Sequence, residues 1–120
     1  METQKKTKHG DIISKLFQLH VDTHFLHLTT QSYAVHKALD MAYESLGEFK
    51  DSVAEKMIGY YGREFVLNVQ PPTNTVATIC DAIYSLAEDL AKDEHTEFKN
   101  ISEEIKALSS ELRYLLTLKV

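Results

Sequence analysis

Two imidazoles and three carboxylates, His24, His36, Asp40, Asp51 and Glu55, form the part of this sequence best suited to chemistry. Borderline nitrogen and hard oxygen donors together suit iron, and the carboxylates favour the harder Fe(III) product of an oxidation. Zinc accepts the same donors and could substitute. His36 and Asp40 stand four residues apart, as do Asp51 and Glu55, a spacing that places each pair on one face of an α-helix, one turn apart.

The element that must position them is a long helix predicted from Ser32 to Gly62. Val35, Leu39, Ala42, Leu46, Phe49, Val53 and Met57 recur there at spacings of three and four, the pattern of an amphipathic helix. At 100° per residue, His36, Asp40, Asp51 and Glu55 fall at about 0°, 40°, 60° and 100°, one arc beside the apolar stripe. Fifteen residues separate His36 from Asp51, however, and a rise of 1.5 Å per residue makes that roughly 22 Å. One ion cannot touch both. Two copies packed antiparallel about a two-fold axis would bring the His36 and Asp40 end of one helix beside the Asp51 and Glu55 end of the other, giving two equivalent sites per dimer. A tight connection near Thr29 to Gln31 folds the first helix back and sets His24 roughly opposite His36.

These intervals carry a family resemblance. The chain resembles the Dps family, the ferritin-like proteins named for DNA binding in starved cells. In that family two His lie twelve residues apart, an Asp follows the second by four, and an Asp and Glu four apart complete the set from the two-fold mate. His24, His36, Asp40, Asp51 and Glu55 reproduce each interval. The stretch from His36-Lys-Ala-Leu-Asp-Met-Ala-Tyr43 through Leu46-Gly-Glu48 to Asp51-Ser-Val-Ala-Glu55 and Gly59 also resembles the family signature. The resemblance is strong over residues 16–62 and weak over 75–118. It implies a ferroxidase and iron-storage protein in which Fe(II), in one- or two-iron sites at the dimer interface, is oxidised, preferentially by hydrogen peroxide. Ferric mineral would collect inside a hollow shell, usually of twelve subunits. His24, His36 and Asp40 would bind from one subunit and Asp51 and Glu55 from its mate, with Glu55 bridging two irons. At 120 residues the chain is shorter than usual for the family, lacks the short helix usual after the second long helix, and has Phe25 in place of a common Trp.

Composition agrees with one all-α domain: 43% hydrophobic residues, four Gly and two Pro, with enough length for one core. A basic tail is expected over residues 1–10 and a ferritin-like four-helix bundle over 11–120. Its helices are predicted at Asp11 to Thr29, Ser32 to Gly62, Thr75 to Lys92 and Glu94 to Leu118. Pro71 and Pro72 forbid a regular helix between the second and third. If those two run parallel, their connection must cross the length of the bundle. The polar N-terminus and short apolar runs predict neither a secretory signal nor a membrane span, and so a cytoplasmic protein. Cys80, the single cysteine, falls in the rhythm of Val76, Ile79, Ile83 and Leu86 and reads as a reduced core residue.

His20, His24 and His27 form a stripe on the first helix that could bind a further ion, zinc included, by imidazole alone. His20 and His27 read more simply as polar neighbours of the site. The Glu-x-x-His pair of single-chain di-iron bundles is absent, which argues against an oxygen-activating oxidase of organic substrates. A net charge of −5 speaks against a basic nucleic-acid face. DNA contact would fall to Lys5, Lys6 and Lys8 of the tail, multiplied over a shell. The alternative to the enzyme is a non-catalytic ferritin-like assembly that uses the fold for interaction or DNA protection.

Overall fold

The computed structural model describes residues 7–118, which form four helices. They are α1 (Lys8–Thr29), α2 (Tyr33–Tyr61), α3 (Ile79–Ala91) and α4 (Thr96–Leu115). Local chemistry sets their ends. The Thr7 hydroxyl accepts from the Gly10 N–H at 3.0 Å and caps α1, and the Ser32 hydroxyl does the same for Val35 at 3.2 Å on α2. Gly62 ends α2 with φ 97° and ψ 169°, a conformation that a side chain excludes.

The helices differ from expectation at three places, the first two with a local cause. Capping by Thr7 starts α1 at Lys8, so residues 8–10 belong to the bundle and not to a tail. His9 and Gly10 are buried, and the His9 Nε2–H donates to the Gly62 carbonyl at 3.1 Å. The third helix starts at Ile79 instead of Thr75, because the side chains of Asn74, Thr75 and Thr78 compete for the backbone. Thr78 Oγ1 accepts from the Thr75 N–H at 2.9 Å and bonds Asn74 Oδ1 at 3.1 Å, leaving a turn over residues 76–78. The fourth spans Thr96–Leu115, within the expected Glu94 to Leu118.

Around the bundle, α1 packs on α2 and α3, and α4 packs on α2 and α3, with the α1/α4 and α2/α3 pairs on the diagonals. Side-chain contacts fix the directions. Tyr61 near the end of α2 bonds Asp93 just before α4, Lys15 near the start of α1 meets Asp89 near the end of α3, and Arg113 near the end of α4 meets Asp81 near the start of α3. Each packed neighbour is therefore antiparallel and each diagonal parallel. Apolar stripes from all four helices close one core, with Leu16, Leu39, Leu46, Ile83, Leu90, Phe98, Ile105 and Leu112 among its fully buried members. Cys80 lies there as a free thiol, and burial raises its pKa.

Parallel α2 and α3 require the connection over residues 62–78 to run the length of the bundle. It lies along α1, strapped to a polar ladder of Ser14, Gln18 and Asp22, spaced one turn apart. Ser14 Oγ accepts from the Asn68 N–H at 2.9 Å. Gln18 accepts from the Gln70 N–H at 2.7 Å and donates to the Gln70 carbonyl at 3.1 Å, as an adjacent β-strand would. Asp22, 0% exposed, ends the ladder by accepting from the backbone N–H groups of Thr73 and Asn74 and from the Asn74 amide, at 3.2, 3.1 and 2.8 Å. A buried carboxylate is tolerated because its oxygens are so fully met.

Candidate metal-binding face

The groove between α1 and α2 collects most of the predicted site residues on one side of the bundle. Only Thr30, Gln31 and Ser32 join the two helices, so residues equidistant from that turn face each other. His27 and His36 are such a pair. Their rings stack with centroids 3.9 Å apart and planes 17° from parallel. His27 Nδ1 lies 2.9 Å from the His36 carbonyl, and His36 Nδ1 lies 2.7 Å from the His27 carbonyl. A carbonyl oxygen can only accept, so each Nδ1 carries hydrogen and the far nitrogen, Nε2, is turned away from this exchange.

The place opposite His36 expected for His24 is therefore taken by His27. His24 lies almost a turn earlier on α1 and stacks instead on Tyr43, centroids 4.4 Å apart. Tyr43 is clamped from its other face by His20, at 4.3 Å and 8°. His24 is exposed and has no side-chain hydrogen bond among the described residues, while His36 and Asp40 are half-buried. Asp40 lies 3.9 Å from His27 Nε2.

Further along the groove, His20, Tyr43, Gly47, Lys50 and Asp51 line an open cleft of about 400 Å³. Gly47 permits the close approach, since a Cβ there would stand 3.1 Å from His20 Nε2. The Lys50 ammonium donates to His20 Nδ1 at 3.1 Å, so a neutral His20 holds its proton on Nε2 and has no free lone pair for an ion. Burial first, and then the Lys50 charge, push the His20 pKa below its ordinary value, with Asp51 opposing. Asp51 and Glu55 are both exposed. About ten or more residues of helix separate them from the His36 and Asp40 end, roughly 15 Å or more. Among the described residues of one chain, no three His, Cys, Asp or Glu side chains converge as a ready metal site.

Around His24 the surface is apolar. Val21, Phe25 and Leu28 recur at spacings of four and three on α1, with Phe25 48% and Leu28 64% exposed. Of the tail lysines, Lys8 lies in the first turn of α1, while Lys5 and Lys6 fall outside the described residues.

In the sequence Tyr43 has no mark beyond its place in the signature stretch, and His27 reads as a polar neighbour of the site. Symmetry of His27 and His36 about the turn was the signal for the second. Nothing in the spacing of Tyr43 alone distinguishes it from a core aromatic.

These features define an all-helical bundle with a histidine- and carboxylate-lined face, and no described helix is long and apolar enough to cross a membrane. The chain belongs to a family of unknown function (DUF5856), whose profile matches residues 27–116. It is similar to an uncharacterized 14.6 kDa protein from the mobD-ri intergenic region of Enterobacteria phage T4, 26% identical over 122 residues that cover 98% of this chain and 94% of the relative. No solved structure matches the chain at a significant level.

Proposed function

We propose that the protein is a Dps-like ferroxidase of ferritin-like fold that binds and oxidises Fe(II), as substrate, at sites completed between two subunits. The observation that carries this reading is the division of the ligand set along one groove. Imidazoles and Asp40 lie at the turn end, and two exposed carboxylates, Asp51 and Glu55, lie nearer the other end. Antiparallel apposition of two such faces would set each half against its complement. The apolar stripe of Val21, Phe25 and Leu28 beside His24 supports a protein partner on this face. The long connection along α1 with parallel α2 and α3 supports the ferritin-like assignment.

His24, His36 and Asp40 of one subunit and Asp51 and Glu55 of its mate would hold Fe(II) with positions left for oxidant. Two Fe(II) each release one electron to hydrogen peroxide, the O–O bond breaks, and two protons complete two molecules of water. Both electrons arrive from paired metals, so no hydroxyl radical is freed. The protein supplies donors and geometry. Mineral storage in a closed shell, dodecameric by resemblance, would follow from further assembly, and DNA contact would rest with the N-terminal lysines.

Stopped-flow mixing of the metal-free protein with anaerobic Fe(II), then with peroxide or dioxygen, tests the reading. Fast oxidation saturating near two irons per interfacial site, and lost in Asp51→Ala/Glu55→Ala, is the expected result; oxidation no faster than in buffer would refute it. The second reading, a non-catalytic ferritin-like assembly, is favoured by the same apolar stripe and predicts self-association without oxidation.

A further inference from the structure

We propose that His27 is a metal ligand, its Nε2 and the Asp40 carboxylate gripping the cation from one subunit. This rests on reading the α1/α2 groove as a metal site, and it adds a first-helix histidine to the set inferred from spacing.

Orientation carries the argument. A ligating imidazole usually donates its second ring N–H to a carbonyl or carboxylate, which fixes the tautomer and aims the remaining lone pair. His27 has that arrangement: Nδ1–H donates to the His36 carbonyl at 2.9 Å, and the ring is wedged against His36 at 3.9 Å. Its side chain is 14% exposed, so little freedom remains to it. His24, by contrast, lies face-on to Tyr43, and no hydrogen bond among the described residues sets which nitrogen carries its proton.

Distance adds to this. His27 Nε2 stands 3.9 Å from Asp40 Oδ1, too far for a hydrogen bond. A tetrahedral ion with bonds of about 2.0 to 2.2 Å sets its ligands about 3.4 Å apart. Asp40 is 39% exposed at its side chain, and closing by about half an ångström needs only a small turn of that side chain. His36 is oriented by the same reciprocal bond, from Nδ1–H to the His27 carbonyl at 2.7 Å. The two rings thus fix each other, and each keeps its Nε2 available.

The test uses Co(II) as probe on the full chain, read by calorimetry and by visible absorption of the bound ion. His27→Gln, which removes the Nε2 lone pair of the imidazole, should lower Co(II) affinity about tenfold or more. His95→Gln, at a histidine that stacks on Tyr60 at the opposite end of α2, should leave it within about twofold. Histidine ¹⁵N spectra of the wild type serve if His27→Gln fails to fold: Zn(II) should move the His27 Nε2 resonance while Nδ1 keeps its hydrogen. Unchanged Co(II) affinity and spectrum in His27→Gln, no Co(II) binding by the wild type, or a His27 Nε2 resonance that Zn(II) does not move would each overturn the assignment. The two claims fail separately. Rapid iron oxidation lost in Asp51→Ala/Glu55→Ala but Co(II) binding untouched by His27→Gln leaves the ferroxidase without His27; a zinc-shifted His27 without iron oxidation leaves a cation site of other purpose.

Discussion

Asp22 holds the long connection to the bundle, and replacing it with Ala should be among the most damaging single changes to stability. The carboxylate accepts from five donors: Gln18 Nε2 at 2.9 Å, the backbone N–H groups of Thr73 and Asn74, the Asn74 amide and the Thr73 hydroxyl at 3.4 Å. Asn74 and Thr73 side chains are partly or fully exposed and can turn to water. The two backbone donors are held over a buried position and cannot follow. Stranding a buried donor costs about 1 to 3 kcal/mol, so two imply a loss of about 2 to 6 kcal/mol. For a chain of this size, about 4 °C of Tm per kcal/mol makes the shift about 8 to 24 °C. Asp22→Asn keeps one acceptor oxygen and should lose about half as much. Urea unfolding followed by helical circular dichroism measures both. A loss below about 0.5 kcal/mol for Asp22→Ala, the range of an ordinary surface change, would refute the claim that this carboxylate fastens the connection.

Gly59 within α2 and Gly62 at its C-cap should respond with opposite sign. A Cβ at Gly59 meets nothing within 4 Å, so Gly59→Ala should stabilise by about 0.5 to 1 kcal/mol; at Gly62, φ 97° makes Gly62→Ala cost about 1 to 3 kcal/mol, and the same urea midpoints decide both. His20 gives a pH dependence. Its folded pKa lies below the ordinary 6.5, so the unfolded chain binds more protons and this contribution, complete above 6.5, is lost as pH falls through that value toward the folded pKa. His20→Gln should flatten the rise of stability with pH across that window, and an unchanged slope would contradict the sign.

The helices were legible because apolar period and caps agree. Ser32 and Gly62 mark the ends of α2 in sequence and in space, and the expected stripe is buried except for a half-buried Phe49. The crossing of the connection was legible as a condition, since two prolines stop a helix and only an extended chain spans a bundle. What fastens it was not. Ser14, Gln18 and Asp22 read as ordinary polar positions of α1, and their partners lie more than fifty residues away. The start of α1 was missed because Lys8 and His9 look like tail residues until Thr7 caps them and His9 reaches Gly62. In the groove, spacing along α2 places His36, Asp40, Asp51 and Glu55 along one helix, but the pairing across the turn depends on a three-residue connection whose geometry put His27, not His24, against His36. Periodicity along one helix does not fix the register between two.

The central claim is that each site is shared between subunits, and mixed dimers test it most directly. Subunits carrying His36→Ala/Asp40→Ala and subunits carrying Asp51→Ala/Glu55→Ala should each be inactive in Fe(II) oxidation alone. Unfolded and refolded together in equal amounts, half of the dimers are mixed, and each mixed dimer regains one intact site of two. Oxidation should then return to about a quarter of the wild-type rate. No recovery in mixtures that demonstrably contain mixed dimers, or undiminished oxidation by either variant alone, would contradict a site built from two chains.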